Sequence, residues 1–299
     1  MKQLLFFICI LITALAKAQV TGVVKDRQGN AIPYVNVWVL NEQAGTTADG
    51  EGKYSINATG TKTLVFSAVG FKTQHVKAAE ASKIVLQDDV TLLDEVVLSN
   101  KRGKHKITVG KYNKNKNRYY QGGMNKPDIL VKYFAPSQAT KEHPFIKNLT
   151  FYALNLNEKA VITLRFFNVD KDGSPGKDLT GENIIVEVPK GNKNLKVNLE
   201  KYKIMVPENG FFAGFEWMVI DQNKYVSATV YKDAQGKEHL MENFIQYMPQ
   251  IGTNPSEGST HWRYTQGKWI ANNKMAKNTA AESYQDKYED LTIKLTLTD

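Results

Sequence analysis

Apolar positions in this chain recur at every second residue over short runs, which is the spacing of strands rather than of helices. Val20 to Val24 opens the series. Val35, Val37 and Val39 alternate with Asn36, Trp38 and Leu40, so both faces of that run are apolar and a buried strand is expected. Lys53 to Ile56, Leu64 to Ala68, a polar run through His75 and Val76, and Ile84 to Leu86 complete the set. Polar, Gly-bearing turns separate them, among them Asp26-Arg27-Gln28-Gly29-Asn30 and the stretch from Thr46 to Gly52. Strands this short, at this turn spacing, predict an antiparallel sandwich.

The alternation returns beyond Lys126. Ile129, Val131 and Tyr133 stand against Leu130, Lys132 and Phe134, and Phe145 to Leu156 predicts a long strand ending at Asn157-Glu158-Lys159. Ala160 to Val169, Ile184 to Val188, Leu195 to Leu199, Tyr202 to Val206 and Phe211 to Ile220 read as further strands. Gly214 inside the last of these predicts a bulge or a close backbone approach, and Tyr225 to Tyr231 is expected to pair with it. Leu291, Ile293, Leu295 and Leu297 alternate with polar residues as a final strand. Eight or nine strands without a convincing helix predict a second, jelly-roll-like sandwich. Met248 to Asp290 breaks the pattern: it is polar, carries Trp262, Tyr264 and Trp269, and reads as a long loop with a short helix over Ala276 to Tyr288.

Composition adds compartment and limits chemistry. The chain has 299 residues, 42% of them apolar, enough for packed cores in one large or two ordinary domains. Lys2, the apolar run Leu4 to Leu15 and Ala16-Lys17-Ala18 form an export leader, with cleavage expected after Ala18. The run is about 12 residues, short of the roughly 20 that span a bilayer. The one cysteine, Cys9, lies inside the leader, so the exported chain is expected to have neither disulfides nor a thiolate ligand.

The net charge of +9 is concentrated between Lys101 and Lys126, where no Asp or Glu occurs. Two readings stand for this run: a solvated connector, or an arm for an anionic partner with Tyr112, Tyr119 and Tyr120 adding stacking. The leader argues against nucleic acid as that partner.

The blocks Gly22-Val23-Val24-Lys25-Asp26, then Ile32-Pro33 with Val35-Asn36-Val37, then Gly45 to Tyr54, then Leu64 to Phe71 carry a family resemblance. In this order and at these separations they resemble the carboxypeptidase-regulatory-like domain, a transthyretin-like β-sandwich of about 80 residues that also stands at the N-terminus of TonB-dependent outer-membrane receptors. Leu92 to Leu98 looks like the short strand that follows the domain in those receptors. The resemblance implies fold and envelope context, and brings no catalytic residues with it. The expected organisation is a leader over 1–18, a regulatory-like sandwich over 19–99, a basic linker over 100–125 and a jelly-roll-like sandwich over 126–299, all-β throughout.

Several constellations invite chemistry. Asp170, Asp172 and Asp178 flank a Gly-rich turn, where alternate carboxylates can ligate Ca²⁺ or simply shape a D-G turn. His239 and Glu242 have the H-x-x-E spacing of a zinc site, with His261 downstream, but no further zinc-peptidase pattern accompanies them. His75, His105 and His143 have no metal spacing, and Trp217 in its apolar run reads as core. Trp262, Tyr264 and Trp269, in polar surroundings, either stack on a ligand such as a sugar ring or cap the sandwich core. No G-x-S-x-G turn, P-loop or dinucleotide fingerprint occurs. The expectation is a non-enzymatic binding or scaffolding protein of the periplasm or outer membrane, with an envelope protein or polysaccharide as partner and no cofactor. The alternatives are a glycan-binding protein using the second sandwich and, more remotely, a metal-dependent hydrolase.

Overall fold

The computed structural model describes residues 19–89, 105–110, 113, 119–233, 235–258, 260–265, 267–275 and 282–299. The leader, Leu92 to Leu98 and most of the basic run lie outside the described residues. The chain divides into two compact units at Asp88 and Asp89.

The first unit is two facing sheets. β1 (Gln19–Lys25), β4 (Lys53–Asn57) and β7 (Lys83–Val85) form one, in the order β4-β1-β7. β2 (Asn36–Val39), β3 (Gly45–Thr47), β5 (Thr63–Ser67) and β6 (Gln74–Lys77) form the other, in the order β3-β2-β5-β6. Val24, Val37, Val39, Ile56, Leu64, Phe66 and Leu86 fill the space between. Alternation works as anticipated in β4, where Tyr54 and Ile56 are buried and Lys53, Ser55 and Asn57 exposed. It is one-sided in β2, since Val37 and Val39 are buried while Trp38 is half-buried and Leu40 exposed.

Two details of this unit differ from the sequence reading. Thr46 and Thr47, read as the start of a turn, belong with Gly45 to a strand on β2. β7 runs parallel to β1, not antiparallel, because the chain reaches it by way of β6 in the opposite sheet. Gly22 makes the close approach possible: a Cβ there would sit 2.4 Å from the Ala81 carbonyl oxygen, which also accepts from the Tyr54 hydroxyl. Burial pushes that phenol up to about 12.

Among the described residues the second unit is one thirteen-stranded sheet folded on itself, with two long strands serving both layers. β11 (Phe145–Val169) and β13 (Ile184–Asn198) run antiparallel along almost their whole length. The N-terminal half of β11 pairs with β20 (Ile293–Thr298), and β20 pairs with β8 (Lys106–Val109). Its C-terminal half pairs with β14 (Phe211–Trp217), and the sheet continues through β10 (Asp128–Phe134) and β17 (His261–Thr265) to β18 (Lys268–Ala271). β12 (Pro175–Asp178) pairs with the end of β11. The main core lies between the layers, with Leu149 and Phe151 on one side and Leu164, Phe166, Phe215 and Trp217 on the other. The rings of Phe151 and Phe215 meet at 4.9 Å.

Asn157-Glu158-Lys159, expected to end a strand, is instead an irregularity inside β11, where the register against β13 shifts. Buried Asn side chains satisfy the backbone there. Asn155 donates to the Val188 carbonyl at 2.7 Å, and Asn223 both accepts from the Val161 amide and donates to its carbonyl at 2.8 Å.

β15 (Lys224–Lys232) pairs with β16 (Glu238–Ser256), not with β14 as expected. β16 in turn carries β9 (Tyr119–Gly123) and β19 (Tyr288–Leu291). The stretch expected to be linker therefore supplies β8 and β9, and Ile107 and Val109 pack on the main core. The stretch expected to be a loop supplies most of β17 to β19. The one α-helix among the described residues of this unit, α1 (Gln138–Glu142), is capped by Ser137, whose hydroxyl oxygen accepts from the Thr140 amide.

Candidate functional site

The sheet face turned away from the main core holds a second apolar cluster of Ile129, Val131, Phe167 and Phe212, packed with Tyr133, Val169, Trp262, Tyr264 and Trp269. Strand register sets it out in rows. Phe167, Phe212 and Tyr133 occupy one row across β11, β14 and β10. Arg165, Gly214, Val131 and Trp262 form the next, and Thr163, Glu216, Ile129, Tyr264 and Trp269 the third.

Trp269 stands four strands from β11, yet its ring meets Phe167 edge-to-face at 5.2 Å. Strands lie about 4.8 Å apart, so a flat sheet would separate the two by ~19 Å. The sheet therefore curls onto this face, and β18 returns over β11. Tyr264 packs edge-to-face on Trp269, also at 5.2 Å.

Inside the curl lies a charged triad. Arg165 Nη1 donates to Glu216 Oε2 at 2.9 Å, and Arg165 Nη2 lies 3.0 Å from Asp178 Oδ2. Its guanidinium carbon sits 5.2 Å from the centre of the Phe167 ring. Burial works against this charge, but the two carboxylates overturn that and hold the guanidinium firmly protonated. Its Nε has no hydrogen-bond partner.

Trp262, Tyr264 and Trp269 are thus brought together, each half-buried, over the aromatic cluster. Their packed faces close the curl, and their outer edges remain open to solvent. Asp170, Asp172 and Asp178 are not brought together. Asp170 Oδ1 accepts from the Lys171 amide, Asp172 Oδ1 accepts from the amide and hydroxyl of Ser174, and Asp178 serves Arg165 and Thr180. His239 pairs with Asp233 at 2.7 Å and stacks on Tyr231 in the β15–β16 hairpin, while His261 is buried in β17. Among the described residues no three His, Cys, Asp or Glu side chains converge as a metal-binding group.

Sequence reading missed a second buried polar group, on the main-core side of β10 and β17. Lys132 Nζ donates to Asp290 Oδ2 at 2.5 Å, and Thr260 Oγ1 donates to Asp290 Oδ1 at 2.9 Å. Arg263 bridges Asp128 at 3.0 Å and Gln121 at 2.7 Å, and Gln121 donates to Glu289. One sequence signal marks part of these two groups: a charged residue inside an apolar run, as Asp128 and Lys132 in Asp-Ile-Leu-Val-Lys-Tyr-Phe of β10 or Glu216 in Phe-Phe-Ala-Gly-Phe-Glu-Trp of β14. On the surface of the same unit a separate hollow of about 280 Å³ is lined by Phe145, Ile146, Lys147, Glu200, Lys203, Thr298 and Asp299.

His261 gives the second group a pH dependence. Its Nε2 accepts the Leu291 amide at 2.7 Å and lies 3.1 Å from Asp290 Oδ1. A ring nitrogen that accepts an amide carries no proton, so these contacts demand opposite protonation states. Burial pushes the imidazole below its ordinary value, against the pull of Asp290 and with the help of Lys132 and Arg263, and favours the neutral ring. For Asp290 burial pushes upward, but His261 and Lys132 outweigh it and hold the carboxyl below its usual range.

An unfolded histidine takes up a proton near pH 6.5, whereas the folded one resists it. The contribution of His261 is therefore present above about pH 6.5 and is lost as the pH falls below it. Asp290 loses its contribution only below about pH 4. Glu289, pushed up by burial against its hydrogen bonds to Gln121 and Thr253, has the opposite slope. The expected result is an unfolding free energy that declines from pH 7 to pH 5 more steeply in the native chain than in His261→Gln, measured by urea titration at each pH. Parallel curves would show that the ring is not held neutral.

The comparisons with known proteins fall on the N-terminal region of the chain. Residues 20–98 match the family model of the CarboxypepD_reg-like domain. TonB-dependent receptor SusC of Bacteroides thetaiotaomicron is 35% identical over 79 residues, 26% of this chain and 8% of the receptor. TonB-dependent receptor P3 of Formosa agariphila is 36% identical over 105 residues, 33% of this chain and 10% of the receptor. The matched stretch thus spans a tenth or less of the length of these curated relatives. Seven short strands in two facing sheets, with the Gly22 approach and the buried Val and Phe set, are the structural counterpart of that match. Residues 20–98 are a carboxypeptidase-regulatory-like domain, shared with TonB-dependent receptors.

Proposed function

We propose that this chain is a non-enzymatic binding or scaffolding protein of the cell envelope, in which a carboxypeptidase-regulatory-like domain accompanies a β unit that makes the specific contacts. The observation that carries this reading is the match of residues 20–98 to the N-terminal region of TonB-dependent receptors. The charged side chains of the second unit's curl support it, since Arg165, Glu216 and Asp178 are spent on one another beneath an aromatic cap. Fractionation of the native cells, followed by cross-linking and affinity purification from the envelope, tests the reading. The expected result is recovery from the envelope with a reproducible membrane or periplasmic neighbour. Recovery from the cytosol, or an envelope monomer without neighbours, overturns it.

A second reading, glycan binding, has one specific observation in its favour: Trp262, Tyr264 and Trp269 share one half-exposed face. Stacking and capping separate by experiment. A capping Trp269 gives Trp269→Ala a loss of about 2 kcal/mol of stability, below the 3–5 kcal/mol of a fully buried Trp, with no glycan affinity to lose. A stacking surface gives Trp262→Ala an unchanged unfolding curve and at least a tenfold weaker grip on a polysaccharide. We expect the first outcome.

A further inference from the structure

The edge strand β15 reads Lys-Tyr-Val-Ser-Ala-Thr-Val-Tyr-Lys from Lys224 to Lys232. This is a palindrome about Ala228, broken only by the Ser227 and Thr229 pair. On one side β15 is hydrogen-bonded to β16, and it ends the strand order of its sheet, so among the described residues its other edge meets no strand. The hairpin exposes several large apolar side chains. Val226 is 49% exposed, Val230 56% and, across the ladder, Leu240 63%. Val226 faces Ile245 and Val230 faces Leu240, so these four share one face. The hairpin also keeps a defined shape. Its register shifts by one residue between Ser227 and Thr229, where Asn243 on β16 takes φ 59°, as in a bulge with a left-handed residue.

An open edge of this kind is a template for another strand unless charge, proline or a cover blocks it. Here Pro is absent from β15, and charge stands only at the strand's two ends. From the palindrome and the open edge we infer that β15 pairs antiparallel with β15 of a second copy of this chain about a two-fold axis through Ala228. The contact is isologous, the form that closes a dimer. It sets Val226 against Val230 of the other copy, Tyr225 against Tyr231, and Ser227 against Thr229. β-Branched, aromatic and hydroxyl pairs are those that stabilise antiparallel ladders. The like-charged Lys pairs fall at the two ends, where salt screens them. A nine-residue strand is about 30 Å long and a sheet about 10 Å thick, so edge pairing removes roughly 300 Å² from each copy. That is well under the ~1,200 Å² total of a stable interface. The pair is therefore transient, with a dissociation constant of roughly 10–100 micromolar. This inference is independent of the envelope reading and stands or fails without it.

Cysteine placement tests the register. Cys9 is the only cysteine, so the full chain carrying Cys9→Ser is a clean background. Opposed residues in an antiparallel ladder have Cα atoms about 4.5–5.5 Å apart, inside the 4.4–6.8 Å that a disulfide accepts. Ala228→Cys lies opposite itself and is expected to cross-link at least tenfold faster than Val226→Cys or Val230→Cys alone. Each of those stands ~14 Å from its own copy. A mixture of the Val226→Cys and Val230→Cys chains is expected to cross-link as fast as Ala228→Cys, because those two positions face each other. All three sites are exposed, so the variants keep the fold. Sedimentation of the cysteine-free chain is expected to show concentration-dependent association, abolished in Val226→Lys/Val230→Lys with an unchanged unfolding curve. Equal cross-linking at all three positions overturns the two-fold pairing. So does a monomer at concentrations of several hundred micromolar.

Discussion

Arg165→Leu is expected to lower the unfolding free energy by about 3–5 kcal/mol, the cost of leaving a buried carboxylate without its counter-charge. Glu216 retains only 6% of its side-chain exposure and Asp178 18%, so neither can turn to water without opening the curl. The loss comes from Glu216 and Asp178, not from the missing guanidinium itself. That separates two accounts. If the triad stabilised the sheet by its attraction, Arg165→Leu/Glu216→Leu would be at least as damaging as the single change. If the cost is uncompensated charge, the double variant recovers the Glu216 share of the loss and leaves the Asp178 share, since apolar groups of similar volume often replace buried ion pairs with little penalty. We expect recovery, read from urea unfolding curves of the native chain and both variants. An Arg165→Leu curve within about 1 kcal/mol of the native one would mean that water reaches the triad and that Trp269 and Tyr264 do not seal it.

The regular strands were legible because their alternation depends on nothing distant. β4 and β20 follow the apolar alternation almost residue for residue, and β10 and β14 are apolar runs buried on both faces. Where the sequence misleads, partners far along the chain change what a residue means. Lys106 to Val109 sits in a basic run and looks like linker, but Ile107 and Val109 find a core only when β20 arrives from the far end of the unit. Asn157-Glu158-Lys159 looks like a chain reversal, but Asn155 and Asn223 satisfy the local backbone and β11 continues through it.

The site was half legible for the same reason. Three aromatics in a polar stretch were visible, yet the stretch is polar because its charges are matched elsewhere: Arg263 with Asp128, 135 positions away, and Asp290 with Lys132, 158 positions away. Asp178 looked like one of three calcium ligands because Asp170 and Asp172 precede it. What it faces is Arg165 on the strand beside it, and no local spacing carries that information.

Gly214→Ala is expected to cost at least about 3 kcal/mol and to loosen the curl as a whole, an effect at the upper end of what added volume does in a core. Gly214 lies mid-strand in β14, opposite Arg165 on one side and Val131 on the other. A Cβ there would stand 2.0 Å from the Leu130 carbonyl oxygen and 2.6 Å from the Val131 Cα. Both are backbone atoms of β10, so no rotamer change relieves the clash, and the two strands must separate. Pushing β10 outward shifts Ile129 and Val131 from the outer cluster and carries β17 with them, since Val131 faces Trp262 in the ladder. The change should therefore be seen far from the methyl group. Expected readouts are a lowered unfolding midpoint, faster hydrogen exchange at β10 and β17, and little change in β1 to β7 of the separate first unit. Exchange that rises only beside residue 214 would show that β10 yields locally and that the row from Arg165 to Trp262 does not move as one body.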